Sequence, residues 1–189
     1  MKLRLLKFKS VKSTNDIAHV LIKKKIIRPT IILSEKQTKG RGTMGKRWIS
    51  KKGNLFLTIF FDMNESKLDF KKFAILNAYL LKNILMKKFS NKIKIKWPND
   101  ILFERKKICG ILQETIIRAG KKFLIVGIGI NTNIDPNNSS FSSTTLKQIT
   151  NKNIDNKKLF IMIKNKYEKF LFKIKRYSFV ELKKFTKKV

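Results

Sequence analysis

The chain has 189 residues, 42% of them hydrophobic and 11% aromatic, a globular composition that excludes a disordered chain. It carries 45 basic and 12 acidic residues, a net charge of +33, and a single cysteine and a single histidine. Cys109 alone excludes an intrachain disulfide, and His19 alone excludes a His-rich metal site or a His–His relay.

The charge invites a nucleic-acid reading. Only seven of the basic residues are Arg, however, and the 38 Lys are spread along the chain without a basic block. Readers of phosphate and base edges favour the Arg fork, so the Lys read as filling solvated positions, and no specific DNA binding is expected. The N-terminal MKLRLLKFKS has no apolar signal core, and LFLTIFF and FLIVGIGI are too short to cross a bilayer. These features predict a cytoplasmic protein that does not enter a membrane.

Residues 2–9 alternate loosely and predict a strand. STNDIAHVLIKKK opens with an N-cap signature and continues at helical spacing through Ile17, Val20 and Leu21. TIILSE predicts a second strand, residues 36–52 a long polar loop, and NLFLTIFF a third strand. Phe73, Leu76, Leu80 and Ile84 form the apolar stripe of the longest helix, over 69–89. KIKIKW, DILF, ICGILQETIIR and FLIVGIGINTN follow as strands, separated by a Pro-Asn-Asp bend and turns at ERKK and AGKK. An Asn/Ser/Thr-rich loop spans 132–145, and from about 155 to 187 the pattern is helical. Strands clustered in hairpins, with helices between only some of them, predict an α+β fold with a mixed, mostly antiparallel sheet. No internal repeat is present, and 1–189 reads as one domain.

Three stretches carry candidate chemistry. GRGTMGKRW matches the spacing G-x-G-x-x-G and most of a P-loop, with Arg47 where the P-loop hydroxyl would stand. Both motifs require a helix directly after the loop, and a strand follows here, so both readings are set aside. Closely spaced glycines still expose backbone N–H groups that can cradle an anion, and Arg41, Lys46 and Arg47 add charge. In GIGIN, Gly127 and Gly129 share one strand face, which marks close approach of a ligand or of another element. In IKIKWPNDIL, Lys96 ends a strand beside a rigid bend, and Lys107 lies three residues before Gly110.

Together, STN, QTKGRGTMGKRW, KWPND, KICGIL and GIGIN, in that order over about residues 10–135, resemble the biotin protein ligases (biotin–acetyl-CoA-carboxylase ligases). The resemblance implies a catalytic domain like that of class II aminoacyl-tRNA synthetases. It also implies ATP and Mg²⁺, with the metal carried mainly on the phosphates and no metal ligand from the protein. Biotin would be the substrate and a biotin carboxyl carrier protein the acceptor. Lys96, Arg41 and Lys107 match catalytic positions. Ser13, Thr14, Gln37, Gly40, Arg41, Gly110, Gly127 and Gly129 match biotin-binding positions. Gly42, Lys46, Trp48, Lys96, Lys107 and Asn131 match nucleotide-binding positions. Members can pair through the central sheet, which leaves a homodimer open.

Three departures shape the expectations. Thr43 stands where many members carry a second loop Arg that helps retain the activated intermediate. Nothing like an N-terminal helix-turn-helix domain precedes the first strand, so no operator binding is expected. The SH3-like C-terminal domain of many members is expected to be absent or truncated. A lipoate or octanoate ligase of the same fold is the alternative enzyme, a biotin-binding remnant without turnover is another, and a basic nucleic-acid-binding module is the non-enzyme alternative.

Overall fold

Short apolar-rich runs pair into one seven-stranded sheet in the order β1-β2-β3-β7-β6-β5-β4. The strands are β1 (Arg4–Phe8), β2 (Thr30–Ser34), β3 (Leu55–Asp62), β4 (Ile93–Lys96), β5 (Asp100–Phe103), β6 (Lys106–Arg118) and β7 (Lys121–Ile130). Only β1 and β2 run parallel, joined by a crossover through helix α1 (Thr14–Lys23); every other neighbour is antiparallel. The expected mixed, mostly antiparallel α+β class is the one observed. The computed structural model describes residues 1–64, 66–136 and 141–187. Residues 137–140 of the expected polar loop and the last two residues of the chain lie outside them.

Strand alternation sorts the two faces of the sheet. On β7, Leu124, Val126, Ile128 and Ile130 enter the main core, as do Leu55, Leu57, Ile59 and Phe61 of β3. That face is covered by α2 (Phe70–Lys88), α4 (Asn156–Ile174) and α5 (Phe179–Lys187). Phe123 and Ile125 of β7 point the other way, with Phe60 and Ile32, and pack beneath Ala18 and Ile22 of α1. Helix α1 is too short to cover this second face, and the part it leaves open holds Gly127 and Gly129.

The helix starts follow their caps. Asp69 accepts from the Lys72 amide at the head of α2, and Asp155 accepts from the Lys157 and Lys158 amides at the head of α4. A short helix not anticipated from the sequence, α3 (Leu146–Thr150), interrupts the region after β7. Its signal was present: Thr145 and Gln148 form a capping box, the T-x-x-Q spacing of a helix start.

One buried polar bridge ties the covering helices to the sheet. The Tyr167 hydroxyl of α4 donates to Asn77 Oδ1 of α2 at 3.0 Å, and Asn77 Nδ2 donates to Gln113 Oε1 of β6 at 2.9 Å. Tyr167 and Asn77 are both fully buried. Tyr167→Phe would leave the Asn77 carbonyl without its donor, at a cost of about 1–3 kcal/mol. For a chain of this size, thermal unfolding of this variant is expected about 2–10 °C below wild type. An unchanged midpoint would show that the bridge contributes nothing.

Candidate active site

The open part of the second face is a cleft of about 340 Å³. Its floor follows from strand register. Lys96 of β4 lies opposite Asp100 of β5, Asp100 opposite Gly110 of β6, and Gly110 opposite Gly129 of β7. The next row on the same face runs Leu112–Gly127–Thr58. Directly paired residues share a face, so Lys96, Asp100 and the three glycines face the cleft together.

The glycines make room for two side chains. A Cβ at Gly129 would collide with the Trp48 indole, and one at Gly110 with the far edge of the same ring and the Lys107 stem. A Cβ at Gly127 would strike the Asn15 amide. The ring of Trp48 therefore lies directly on the β6–β7 backbone, and its Nε1 is buried without an acceptor.

The loop that brings Trp48 here is a small hairpin. The Gly42 amide donates to the Lys46 carbonyl at 2.6 Å, and the Trp48 amide donates to the Gly40 carbonyl at 2.9 Å. Met44 and Gly45 turn the chain with φ of 55° and 71°, in the left-handed region. Arg41, Gly42, Thr43, Lys46, Arg47 and Trp48 all border the cleft. Gly40 lies behind them, against the Trp48 carbonyl and the Ser50 hydroxyl.

One end of the cleft is neutral and hydrogen-bonded. The Thr14 amide and hydroxyl both donate to Gln37 Oε1, at 2.7 and 3.0 Å, and Gln37 Nε2 donates to Ser50 Oγ at 2.9 Å. The Thr58 hydroxyl lies 2.7 Å from Thr14 Oγ1 and 2.6 Å from Asn15 Oδ1. Asn15 Nδ2 donates to Glu114 Oε2 at 2.7 Å. Ser13 caps α1 by position and also borders the cleft.

The other end is cationic, bordered by Lys46, Arg47, Lys96, Arg105 and Lys107. Lys107 Nζ pairs with Asp100 Oδ1 at 2.7 Å, with both side chains largely buried. The same ammonium lies 5.2 Å from the Trp48 ring centroid and 4.9 Å from that of Phe141. The backbone of Lys107 is stitched to the loop after β7: its amide donates to the Ser142 carbonyl, and its carbonyl accepts from the Thr144 amide. Asn131 is fully buried beneath it, with Nδ2 donating to the Lys107 carbonyl at 3.3 Å. Lys96 is exposed at the β4–β5 turn, where Trp97 and Pro98 join through a cis bond. Asn99 fastens that turn to β6, donating from Nδ2 to the Ile111 carbonyl at 3.1 Å.

Arg41 does not reach into the cleft as a free cation. Its guanidinium forks onto both oxygens of Glu114, at 2.8 and 2.9 Å, and meets Asp16 at 2.9 Å. Burial alone would push the Glu114 carboxyl up, but hydrogen bonds from Arg41 and Asn15 and the Arg41 charge hold it below the usual carboxylate range. The Arg41 guanidinium is in turn raised, chiefly by its hydrogen bond to Glu114. A depressed carboxylate stabilises the fold above its unfolded pKa, and that contribution disappears as pH falls through the folded value.

Of the residues singled out in the sequence, Ser13, Thr14, Gln37, Arg41, Gly42, Lys46, Trp48, Lys96, Lys107, Gly110, Gly127 and Gly129 border this one cleft. Gly40 and Asn131 support it from behind. Glu114, Thr58 and Phe141 had no local signal, whereas Asn15 and Asp100 stood within the quoted STN and KWPND. Among the described residues, no three His, Cys, Asp or Glu side chains are grouped to hold a metal ion. No helix among them is long and apolar enough to cross a membrane.

The biotin/lipoate A/B protein ligase family model matches residues 7–131, the segment that supplies most of this cleft. The chain belongs to that family. The bifunctional ligase/repressor BirA of Bacillus subtilis is 32% identical over 149 residues, covering 76% of this chain and 46% of the relative. The biotin–[acetyl-CoA-carboxylase] ligase of Paracoccus denitrificans is 31% identical over 103 residues, covering 53% of this chain and 43% of the relative. The chain thus spans about half the length of the curated relatives it matches. Among solved structures, the biotin protein ligase of Aquifex aeolicus in complex with biotin and ATP superimposes with a TM-score of 0.80 at 30% identity. That superposition covers 94% of this chain and 74% of the other.

In this family member, the crowding at Gly129 gives a direct test of the cleft floor. Gly129→Ala is expected to displace the Trp48 ring and to destabilise the protein by about 1–3 kcal/mol. In a Trp97→Phe background, the single tryptophan emission should shift to the red. An unshifted spectrum would mean that Trp48 does not rest on this strand.

Proposed function

We propose that the protein is an ATP-dependent biotin–protein ligase. Biotin's carboxylate attacks the α-phosphorus of ATP, the bond to pyrophosphate breaks, and biotinyl-5′-AMP forms. The amine of an acceptor lysine then attacks the acyl carbon, AMP leaves, and an amide results. The acceptor is a biotin carboxyl carrier protein, and the setting is the cytoplasm.

The observation that carries this reading is the change of character along one glycine-lined floor. From Gly127 to Gly129, about 7 Å along β7, the cleft passes from neutral donors and acceptors to a cluster of cations. An uncharged ureido ring suits the Thr14–Gln37–Asn15–Thr58 end. A polyphosphate suits Lys46, Arg47, Lys96 and Lys107. The carboxylate and the α-phosphate would then meet beside Trp48.

Two anions must be brought together there, and fixed cations lower that cost. Lys96, exposed on the β4–β5 turn at the cleft, would bridge carboxylate and phosphate. Lys107 is held in place by Asp100, the one carboxylate among the described residues that border the cleft. That donor set fits a metal that arrives on ATP rather than one resident in the protein. Mg²⁺ bound to the phosphates would neutralise part of their charge. Asn131, beneath Lys107, acts on the nucleotide end by holding that lysine's backbone.

ATP–pyrophosphate exchange with biotin, lipoate, octanoate or no acid tests the first half-reaction. Exchange with biotin alone is expected; exchange with lipoate or octanoate instead would move the protein to the other branch of its family. Lys96→Ala is expected to lower biotin-dependent exchange about 10²–10³-fold with an unchanged unfolding midpoint, because the side chain is exposed. Near-normal exchange would remove Lys96 from the chemistry.

The net charge of +33 bears on the second step. Against an acidic acceptor domain, opposite charges raise the encounter rate and salt screens them. Raising ionic strength from about 0.05 to 0.5 M, which shortens the screening length severalfold, is expected to slow carrier biotinylation steeply and to leave exchange nearly unchanged. Equal salt dependence of the two steps would overturn this use of the charge.

A further inference from the structure

The neutral end of the cleft and the glycine loop share one carboxylate. Glu114 lies on β6 in the same face-sharing series as Gly110 and Leu112, and its side chain is only 23% exposed. One of its oxygens takes Asn15 Nδ2, and both take the Arg41 fork. Beyond Asn15 the chain of hydrogen bonds continues through Thr58, Thr14 and Gln37 to Ser50. Asp16 of α1 meets Arg41 Nη2, the same nitrogen that donates to Glu114 Oε2. His19 Nε2 approaches Glu114 at 3.5 Å from the same helix.

We infer that Glu114 is a positioning residue that latches the glycine loop across the cleft through Arg41 and, through Asn15, orients the groups that would bind the ureido ring. This inference rests on the proposed biotin reading for its ligand, and on geometry alone for the latch. Two carboxylates on one guanidinium leave Arg41 neutralised, so the loop is held over the cleft by the protein itself. A bidentate, partly buried pair of this kind fixes orientation as well as distance. Thr43, two residues beyond Arg41, borders the cleft without an ionic anchor. Lys39, Lys46 and Arg47 make no ion pair among the described residues, so Arg41 is the hairpin's charged attachment to the sheet there.

The test uses Glu114→Gln, which keeps a carbonyl for Asn15 and removes the charge that holds Arg41. Two readouts are taken on the full chain: trypsin cleavage after Lys46 or Arg47 under native conditions, bonds that every variant keeps, and the biotin KM and kcat of ATP–pyrophosphate exchange. Cleavage is expected to accelerate about tenfold or more, and the biotin KM to rise by a similar factor with kcat within about twofold. Arg41→Gln should behave alike in the cleavage assay, and adding Glu114→Gln to it should change nothing further, since the two act as one latch. Additive effects would reassign Glu114 to a general structural role and overturn the inference. So would unchanged cleavage and KM in Glu114→Gln. If Glu114→Gln fails to fold, Asp16→Asn must show the same direction at smaller size, and its silence overturns the latch. A wild-type protein with no biotin-dependent exchange would defeat the proposed function, while the cleavage assay would still decide the latch.

Discussion

The structure depends on a close approach: the Trp48 ring and the Asn15 amide lie directly on sheet backbone, over positions with no side chain. The register makes this possible. Gly110 and Gly129 are opposite one another, and Gly127 lies two residues along on the same face. On the other face of β7, Val126, Ile128 and Ile130 fill the main core. One strand thus anchors the fold on its even positions and opens a cleft on its odd ones. A single-residue slip would send glycines into the core and isoleucines into the cleft, so fold and site share one register.

The hairpin rows explain where the cations stand. Lys96, Asp100, Gly110 and Gly129 lie in one cross-strand row, so the lysine at the turn and the glycines of the floor are fixed relative to each other by backbone pairing. Lys107 reaches the same space from the start of β6 and is compensated there by Asp100. Arg41 is compensated by Glu114 and Asp16. Among the described residues, Lys46, Arg47, Lys96 and Arg105 border the cleft without an ion-pair partner. Those four are the cations free to answer to a polyanion, and each sits in a loop or at a strand end.

Much of this was legible in the sequence because local pattern and fold agree. Alternation marked β1 and β4, continuous apolar runs marked β2, β3 and β7, the stripe through Phe73, Leu76, Leu80 and Ile84 marked α2, and the turn residues fell between hairpin strands. The paired glycines of GIGIN signalled close approach, and two readings stood open, a ligand or another element. Both neighbours, Trp48 and Asn15, are protein, and both border the cleft. What the sequence did not disclose was pairing at long range. Glu114 is 99 residues from Asn15 and 73 from Arg41, and no local spacing joins them. Arg41 read as a cation over the ligand, and the structure shows it tied to carboxylates. The missed α3 is a different case, since the T-x-x-Q box was visible where the 132–145 loop ends, in a stretch assigned no element.

The extreme charge makes the acidic residues the informative ones. A lysine in this chain says little about function by itself, because 38 of them are spread along the sequence. There are only 12 carboxylates, and three of them, Asp16, Asp100 and Glu114, hold Arg41 and Lys107 at one cleft. Two of the three lie on paired strands, where side-chain direction is set by the ladder. Drift toward lysine adds cations at solvated positions without geometric consequence. A carboxylate retained opposite a particular cation instead fixes an orientation, and lowering its number raises what each placement says about the site. On that argument, the charge pattern locates the cleft by where the negative residues are, not by where the positive ones are.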